Sequence, residues 1–187
     1  MSVTTAKFSL AQYEHMVACG AFGHPHQMRV ELLNGEIVEM SPIGYEHADV
    51  VAILVDWATR GMDRSRLMVR PQSPIRLPDS RSAPEPDVAV VKRQSYRTQH
   101  PGPDEVLLVI EVADSSLGYD RGEKLAAYAA AGIPGYWVVN LVDRRLEVYR
   151  EPAGQAYGVK TVHAAGELAP APQAAPDVGF EVAALFG

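Results

Sequence analysis

The clearest pattern along the chain is MRVELLNGEIVEMSP, where two short alternating runs flank Asn34-Gly35. Asn-Gly is the strongest two-residue hairpin turn, because both central positions take positive φ, so an N-terminal β-hairpin is predicted. Before it, residues 7–20 read as a short helix with Ser9 as N-cap and Gly20 as C-cap. After it, Val50, Val51, Leu54, Trp57 and Ala58 recur at helical spacing within residues 45–60, an amphipathic helix laid against a core. RLMVRPQSPIRLPD reads as strand, break, strand, and Val88 to Val91 as a buried strand. EVLLVIEVA, residues 105–113, is almost continuously apolar, the pattern of a strand covered on both faces. Residues 118–131 predict a helix that Gly132 ends and Pro134 keeps from continuing. GYWVVNL is another buried strand, and RRLEVYRE an outer strand paired through a tight turn at Val142-Asp143.

Strand, helix and strand between residues 105 and 140 make a crossover unit, which places two parallel strands side by side in a mixed sheet. The class is therefore α/β or α+β, a central mixed sheet flanked by helices, with the hairpin at one end. Ala164 to Pro176 reads as an extended Ala/Pro-rich connector, and VGFEVAALFG as a last strand or short helix docking through Phe180, Leu185 and Phe186. A single domain over residues 1–187 is expected, with residues 1–27 as an N-terminal helix and loop and 164–187 as a closing segment.

Composition narrows the function classes. The 187 residues are 47% hydrophobic, enough for a sizeable core, but no apolar run is long enough to span a bilayer. The N-terminus lacks the basic-then-apolar order of a secretory signal, and the lone Cys19 forms no internal disulfide, so a cytoplasmic protein with no membrane partner is expected. A net charge of −6 argues against nucleic-acid binding by the surface as a whole. Arg60, Arg64, Arg66, Arg70, Arg76 and Arg81, close together in sequence, are candidates for a local basic rim, or are ordinary surface residues. His24-Pro25-His26 has no third ligand at zinc spacing and reads as a surface turn, and no phosphate-binding loop or nucleophile elbow is present.

Two carboxylates break the apolar pattern. Glu111 sits inside the 105–113 strand, where an unpaired charge costs several kcal/mol, so it must be paired, protonated or bound to a metal. Arg70 and Arg76 are possible ion-pair partners. Asp87 opens the Val88 strand after two prolines; it is either a turn residue bonded to nearby backbone or a ligand. The 24 residues between them allow one strand, a polar loop from Arg93 to Asp104 and an adjacent antiparallel strand. Carboxylates on neighbouring strands can share one hard divalent cation, Mg²⁺ or Mn²⁺. Asp120 and Lys124 lie four apart on the helix that follows, with Tyr128 continuing their face.

Pro86-Asp87, Glu111 to Ala113 and Asp120 to Lys124, in this order, resemble the Uma2 family of restriction-endonuclease-like proteins in the PD-(D/E)XK nuclease superfamily. VELLNGEIVEMSP, YAAAGIPGYWVVN and APDVGFEVAALFG are similar to family segments as well, so the resemblance spans nearly the whole chain from about residue 28. One departure from the superfamily pattern is Ala113, where the motif has its lysine; the resemblance assigns that lysine to Lys124 on the following helix. It implies a restriction-endonuclease-like fold, a homodimer, and Mg²⁺-dependent hydrolysis of DNA. Asp87, Glu111 and the Val112 carbonyl would hold the metal, with Lys124 orienting water and stabilising charge and Asp120 holding Lys124. Glu31 and His47 are auxiliary candidates, an extra ligand and a substrate contact; the alternatives are an exposed strand residue and a helix cap or core histidine. A second reading is a catalytically silent nuclease-fold homodimer that binds DNA or protein.

Overall fold

The computed structural model describes residues 5–23, 28–170 and 172–187, so the His24–His26 turn lies outside the described residues. Helix α1 (Leu10–Ala18) begins at the expected Ser9, whose hydroxyl accepts from the Gln12 N–H while the Gln12 side chain accepts from Ser9, a reciprocal capping box. Strands β1 (Val30–Leu33) and β2 (Glu36–Glu39) form the hairpin, with φ of +52° at Asn34 and +79° at Gly35. The hairpin is a two-stranded sheet of its own.

The main sheet has six strands in the order β3 (Leu67–Pro71), β4 (Val88–Lys92), β5 (Val106–Ala113), β6 (Gly135–Asn140), β7 (Arg145–Ala153) and β8 (Ala156–Ala164). Only β5 and β6 are parallel, as the crossover unit requires. Helix α2 (Tyr45–Gly61) covers one face, where Val50, Val51, Leu54 and Ala58 pack on Val88, Ile110, Val112 and Trp137. The small β9 (Leu168–Ala169) and β10 (Phe180–Glu181) pair and bring Phe180, Leu185 and Phe186 onto the same face. Trp57 stacks on Trp137 at 5.2 Å, with the Phe180 ring edge-on at 5.1 Å; such pairs add about 1 kcal/mol each beyond the area they bury. The opposite face is covered by α3 (Leu117–Tyr119) and α4 (Leu125–Ala130), joined by one π-helical turn over Asp120–Lys124. Ala127 and Tyr128 pack there on Ala113, Tyr136 and Val138. Among the described residues no helix is long and apolar enough to cross a membrane.

Three expectations need correction. The second strand predicted near Ile75–Leu77 does not form: Pro78–Ser80 is a 3₁₀ turn, and Leu77 makes only one bridge, to Ser82. The prolines at 74 and 78 remove the donors that a ladder needs. RRLEVYRE is not the outer strand, because β8 lies beyond it. Alternation in AYGVKTVHA is carried by small and polar residues on a half-solvated edge, which gives a weak apolar signal. The 118–131 helix is interrupted rather than continuous, since the π turn inserts at the acidic-basic stretch DRGEK.

One carboxylate in the sheet was not anticipated. Glu147 on β7 is 1% exposed and pairs with Arg121 of the π turn, with Lys160 at 2.9 Å and with the Tyr149 hydroxyl at 2.6 Å. Burial pushes its pKa up, but the hydrogen bonds from Arg121, Tyr149 and Lys160 outweigh that and hold it at about 2. A depressed pKa contributes stability that is present above the unfolded value of 4.5 and is lost as pH falls toward 2. Glu147→Gln is therefore expected to cost about 1–2 kcal/mol at neutral pH and progressively less below about pH 4, read by urea titration. A deficit that does not shrink in acid would contradict this origin.

Candidate active site

Register brings the two anomalous carboxylates together. Val88 pairs with Ile110 across β4 and β5, so one further step sets Asp87 opposite Glu111 on the same face. Hydrogen bonds tie Asp87 to Glu111 and to the next residue, Val112. The Val112 N–H donates to Asp87 Oδ2 at 2.8 Å, and the Asp87 N–H points at Glu111 Oε2 at 3.4 Å. Asp87 stands one residue before β4, its carbonyl accepting from the Gln72 N–H at 3.1 Å and its carboxylate from the Val112 N–H. Glu111, 3% exposed, pairs with neither Arg70 nor Arg76. Its partners are Lys124 Nζ at 3.1 Å and the Tyr128 hydroxyl, which donates at 2.7 Å.

Lys124 reaches the site by the route the empty Ala113 position requires. The chain leaves β5, turns, and enters the π segment, whose wider turn carries both Asp120 and Lys124 inward and buries them. Ser116 Oγ donates to Asp120 Oδ2 at 2.6 Å, and the Tyr136 hydroxyl donates to the Asp120 carbonyl at 2.9 Å, fixing the segment over the sheet. Lys124 Nζ then lies 3.1 Å from Glu111, 3.3 Å from Glu31 and 3.9 Å from Asp120. Burial alone would lower the lysine pKa. The three carboxylates overcome it and hold the ammonium well above the usual lysine range. Asp120 moves the other way: burial outweighs Lys124 and the Ser116 hydrogen bond, and lifts it to about 6. Burial, together with the nearby Asp120, Asp87 and Glu31, also drives Glu111 well above the usual carboxylate range despite Lys124.

The auxiliary residues take definite places. Glu31 is not an exposed strand residue; it is 1% exposed, accepts from the Glu85 N–H at 3.0 Å and holds Lys124. Its side chain thus lies beside the same ammonium that Glu111 contacts. His47 is the third residue of α2 and not its cap, which is Gly44. Its Nε2 lies 3.1 Å from Asp87 Oδ2, on the oxygen that Val112 also holds. Tyr128 was passed over as a site residue, although its spacing of four from Lys124 was the available signal.

Glu31, His47, Asp87, Glu111, Asp120 and Lys124 line a cleft of about 620 Å³ between the hairpin, the start of α2 and the loop after β5. Among the described residues eight acidic side chains line it, against Arg29, Lys124 and His47. None of Arg60, Arg64, Arg66, Arg70, Arg76 and Arg81 lies on it, so the candidate basic rim is not at this mouth. Among the described residues no three His, Cys, Asp or Glu side chains converge as a ready-made cage for a metal. The donors fit a smaller role. Two carboxylates and the neighbouring Val112 backbone are hard oxygen sources, and Mg²⁺ binds through one or two carboxylates while keeping several waters.

The profile of the Uma2 family, described as "Putative restriction endonuclease", matches residues 10–184. No curated protein matches the chain. The fold is similar to a crystal structure described as a putative nuclease belonging to DUF820 from Anabaena variabilis ATCC 29413. The TM-score is 0.72 at 14% identity, covering 96% of this chain and 97% of that one. A six-stranded mixed sheet flanked by helices is therefore the nuclease-like architecture that the motif order implied. With the match running over almost the entire chain, the protein belongs to the Uma2 family.

Proposed function

We propose that this protein is a divalent-cation-dependent endonuclease that hydrolyses phosphodiester bonds in DNA. The observation that carries the reading is the hydrogen-bonded Asp87–Glu111 pair with the buried Lys124 ammonium 3.1 Å from Glu111. A structural ion pair needs one carboxylate for one cation. Here three buried acids surround one lysine and Asp87 adds a fourth at the cleft, an imbalance that costs stability and that a divalent cation would relieve.

In this mechanism Asp87, Glu111 and the Val112 carbonyl would hold Mg²⁺ or Mn²⁺, which when bound would supply Lewis-acid chemistry at the phosphate. Lys124 stays charged, so it takes up no proton; it orients the attacking water and stabilises the negative charge that grows on the phosphorus oxygens. Glu31 and Asp120 keep the ammonium in place, and Tyr128 keeps Glu111 in one rotamer. His47 and the Val112 N–H steady Asp87.

The acidic lining favours the second reading, a silent nuclease-fold binding module, because it repels a polyanion when no cation intervenes. Incubation of supercoiled plasmid with the protein separates the two. Nicking or linearisation is expected with Mg²⁺ or Mn²⁺, none in EDTA, and none with Asp87→Ala or Lys124→Ala. Cleavage that survives both substitutions would sink this mechanism, and inactivity of the wild type on every DNA would favour the binding module.

A further inference from the structure

Charge is unevenly distributed along this chain. Residues 60–100 contain nine basic and four acidic residues, a net of +5, while the rest of the chain carries −11. The fold gathers much of that excess on one end of the sheet, where β3 is the edge strand. Lys92 pairs with Leu67 across β3 and β4, and the Arg93 N–H donates to the Arg66 carbonyl at 2.7 Å, so neighbouring stretches of backbone carry three exposed cations there. Farther along, the Arg70 guanidinium lies 5.3 Å over the Tyr96 ring, whose hydroxyl donates to the Lys92 carbonyl at 2.8 Å. The ring is held by its face and by its hydroxyl, and remains part-exposed. Exposed Arg97 follows it.

This strip connects with the cleft. Tyr96, Arg97 and Arg76 line a second groove of about 750 Å³. Arg29 and Glu85, paired at 2.6 Å, line both the groove and the cleft, and so form the wall between them. The cleft itself is acidic, so the side chains that hold a strand's phosphates must lie outside it.

We infer that the strip from Arg66 and Arg93 through Tyr96 to Arg97 is a binding track for single-stranded DNA that leads into the cleft. Cations spaced along a surface follow the phosphates, and a fixed aromatic ring offers a stacking platform to an unpaired base, which a duplex hides. The strand's destination rests on the nuclease reading; binding along the strip does not.

The test is fluorescence anisotropy of a short fluorescein-labelled oligothymidylate in EDTA, where the acidic cleft repels DNA and cleavage is off. Wild type is expected to bind with a salt dependence of roughly 0.7 log units per phosphate contact, and more tightly to the single strand than to a duplex of equal length. The double change Arg93→Ala/Arg97→Ala is expected to weaken binding about tenfold and to lower the salt slope by about 1.4. Tyr96→Leu is expected to weaken binding with the slope unchanged, while Arg145→Ala, on β7, leaves both as in wild type. No binding in EDTA, an unchanged double variant, or preference for the duplex would each overturn the track. Binding along the strip without any cleavage in Mg²⁺ or Mn²⁺ would leave the track standing and defeat only the nuclease reading.

Discussion

Lys124→Met is expected to abolish DNA cleavage and to cost about 3–5 kcal/mol of stability, the penalty for stranding buried charge. The ammonium is the one cation among Glu111, Glu31 and Asp120, all of them nearly inaccessible to water. Methionine fills the space and provides no charge. The sign of the pH dependence follows from the carboxylates. Asp120 already sits at about 6 in the native protein and Glu111 is raised further, and loss of Lys124 raises both again. Groups with raised folded pKa values contribute stability at low pH and lose it as pH rises through those values. The deficit of the variant should therefore be small near pH 4 and grow toward pH 8. Urea titrations of both proteins across that range decide the matter, and a deficit that is flat with pH would remove the three-carboxylate cage as its cause. Lys124→Arg tests geometry separately: it restores charge but not the compact ammonium, and is expected to recover stability better than cleavage.

Glu111→Gln should behave in the opposite way on stability while being as damaging to activity. Cleavage is expected to fall by at least about 10³-fold, because a cation held through Asp87 and Val112 alone loses a charged ligand. The folded protein already favours the uncharged form of Glu111, through burial and the nearby Asp120, Asp87 and Glu31. The amide supplies that form at every pH, so the variant is expected to melt higher than wild type, with a gap that widens as pH rises. Lys124 keeps Glu31 and Asp120 as partners in the variant. A dead protein that is more stable than its parent is the mark of a residue retained for chemistry at a structural cost. If Glu111→Gln destabilises the fold as Lys124→Met does and cleavage survives both, the pair is structural and the site must be sought elsewhere.

The origin of these two effects was partly visible in the chain. Glu111 stood out because a carboxylate within LLVIEVA contradicts its neighbours, and Asp87 because a strand follows it at once. The loop between them fitted an antiparallel pair, and β4 and β5 form that pair. Lys124 came through the ordered motif and the vacancy at Ala113. Asp120 came with the same motif, and Glu31 and His47 only with the family resemblance; Tyr128 came through neither. Glu31 looked like any alternate position of a hairpin; its burial depends on the hairpin docking over Lys124. Glu147 sat in a regular alternation, and Arg121 of the π turn, Tyr149 and Lys160 together explain why an inward carboxylate is tolerated there. The arginines, clustered in sequence, could have formed a rim at the cleft or an ordinary surface; none lines the cleft, and they spread over α2, β3 and the loops around β3.

Sequence alone determined what short-range forces decide: the Asn34-Gly35 turn, the strand and helix periods, the parallel neighbours around a crossover, and the two carboxylates that violate their surroundings. Turn chemistry and alternation act over a few residues and leave a local trace. The tertiary structure decided which charges meet. Lys124 is surrounded by acids from β1, β5 and its own turn, which are far apart in the chain and come within 4 Å only when three layers pack. The energy of a buried charge depends on that whole shell and on the exclusion of water, neither of which any single stretch of sequence contains.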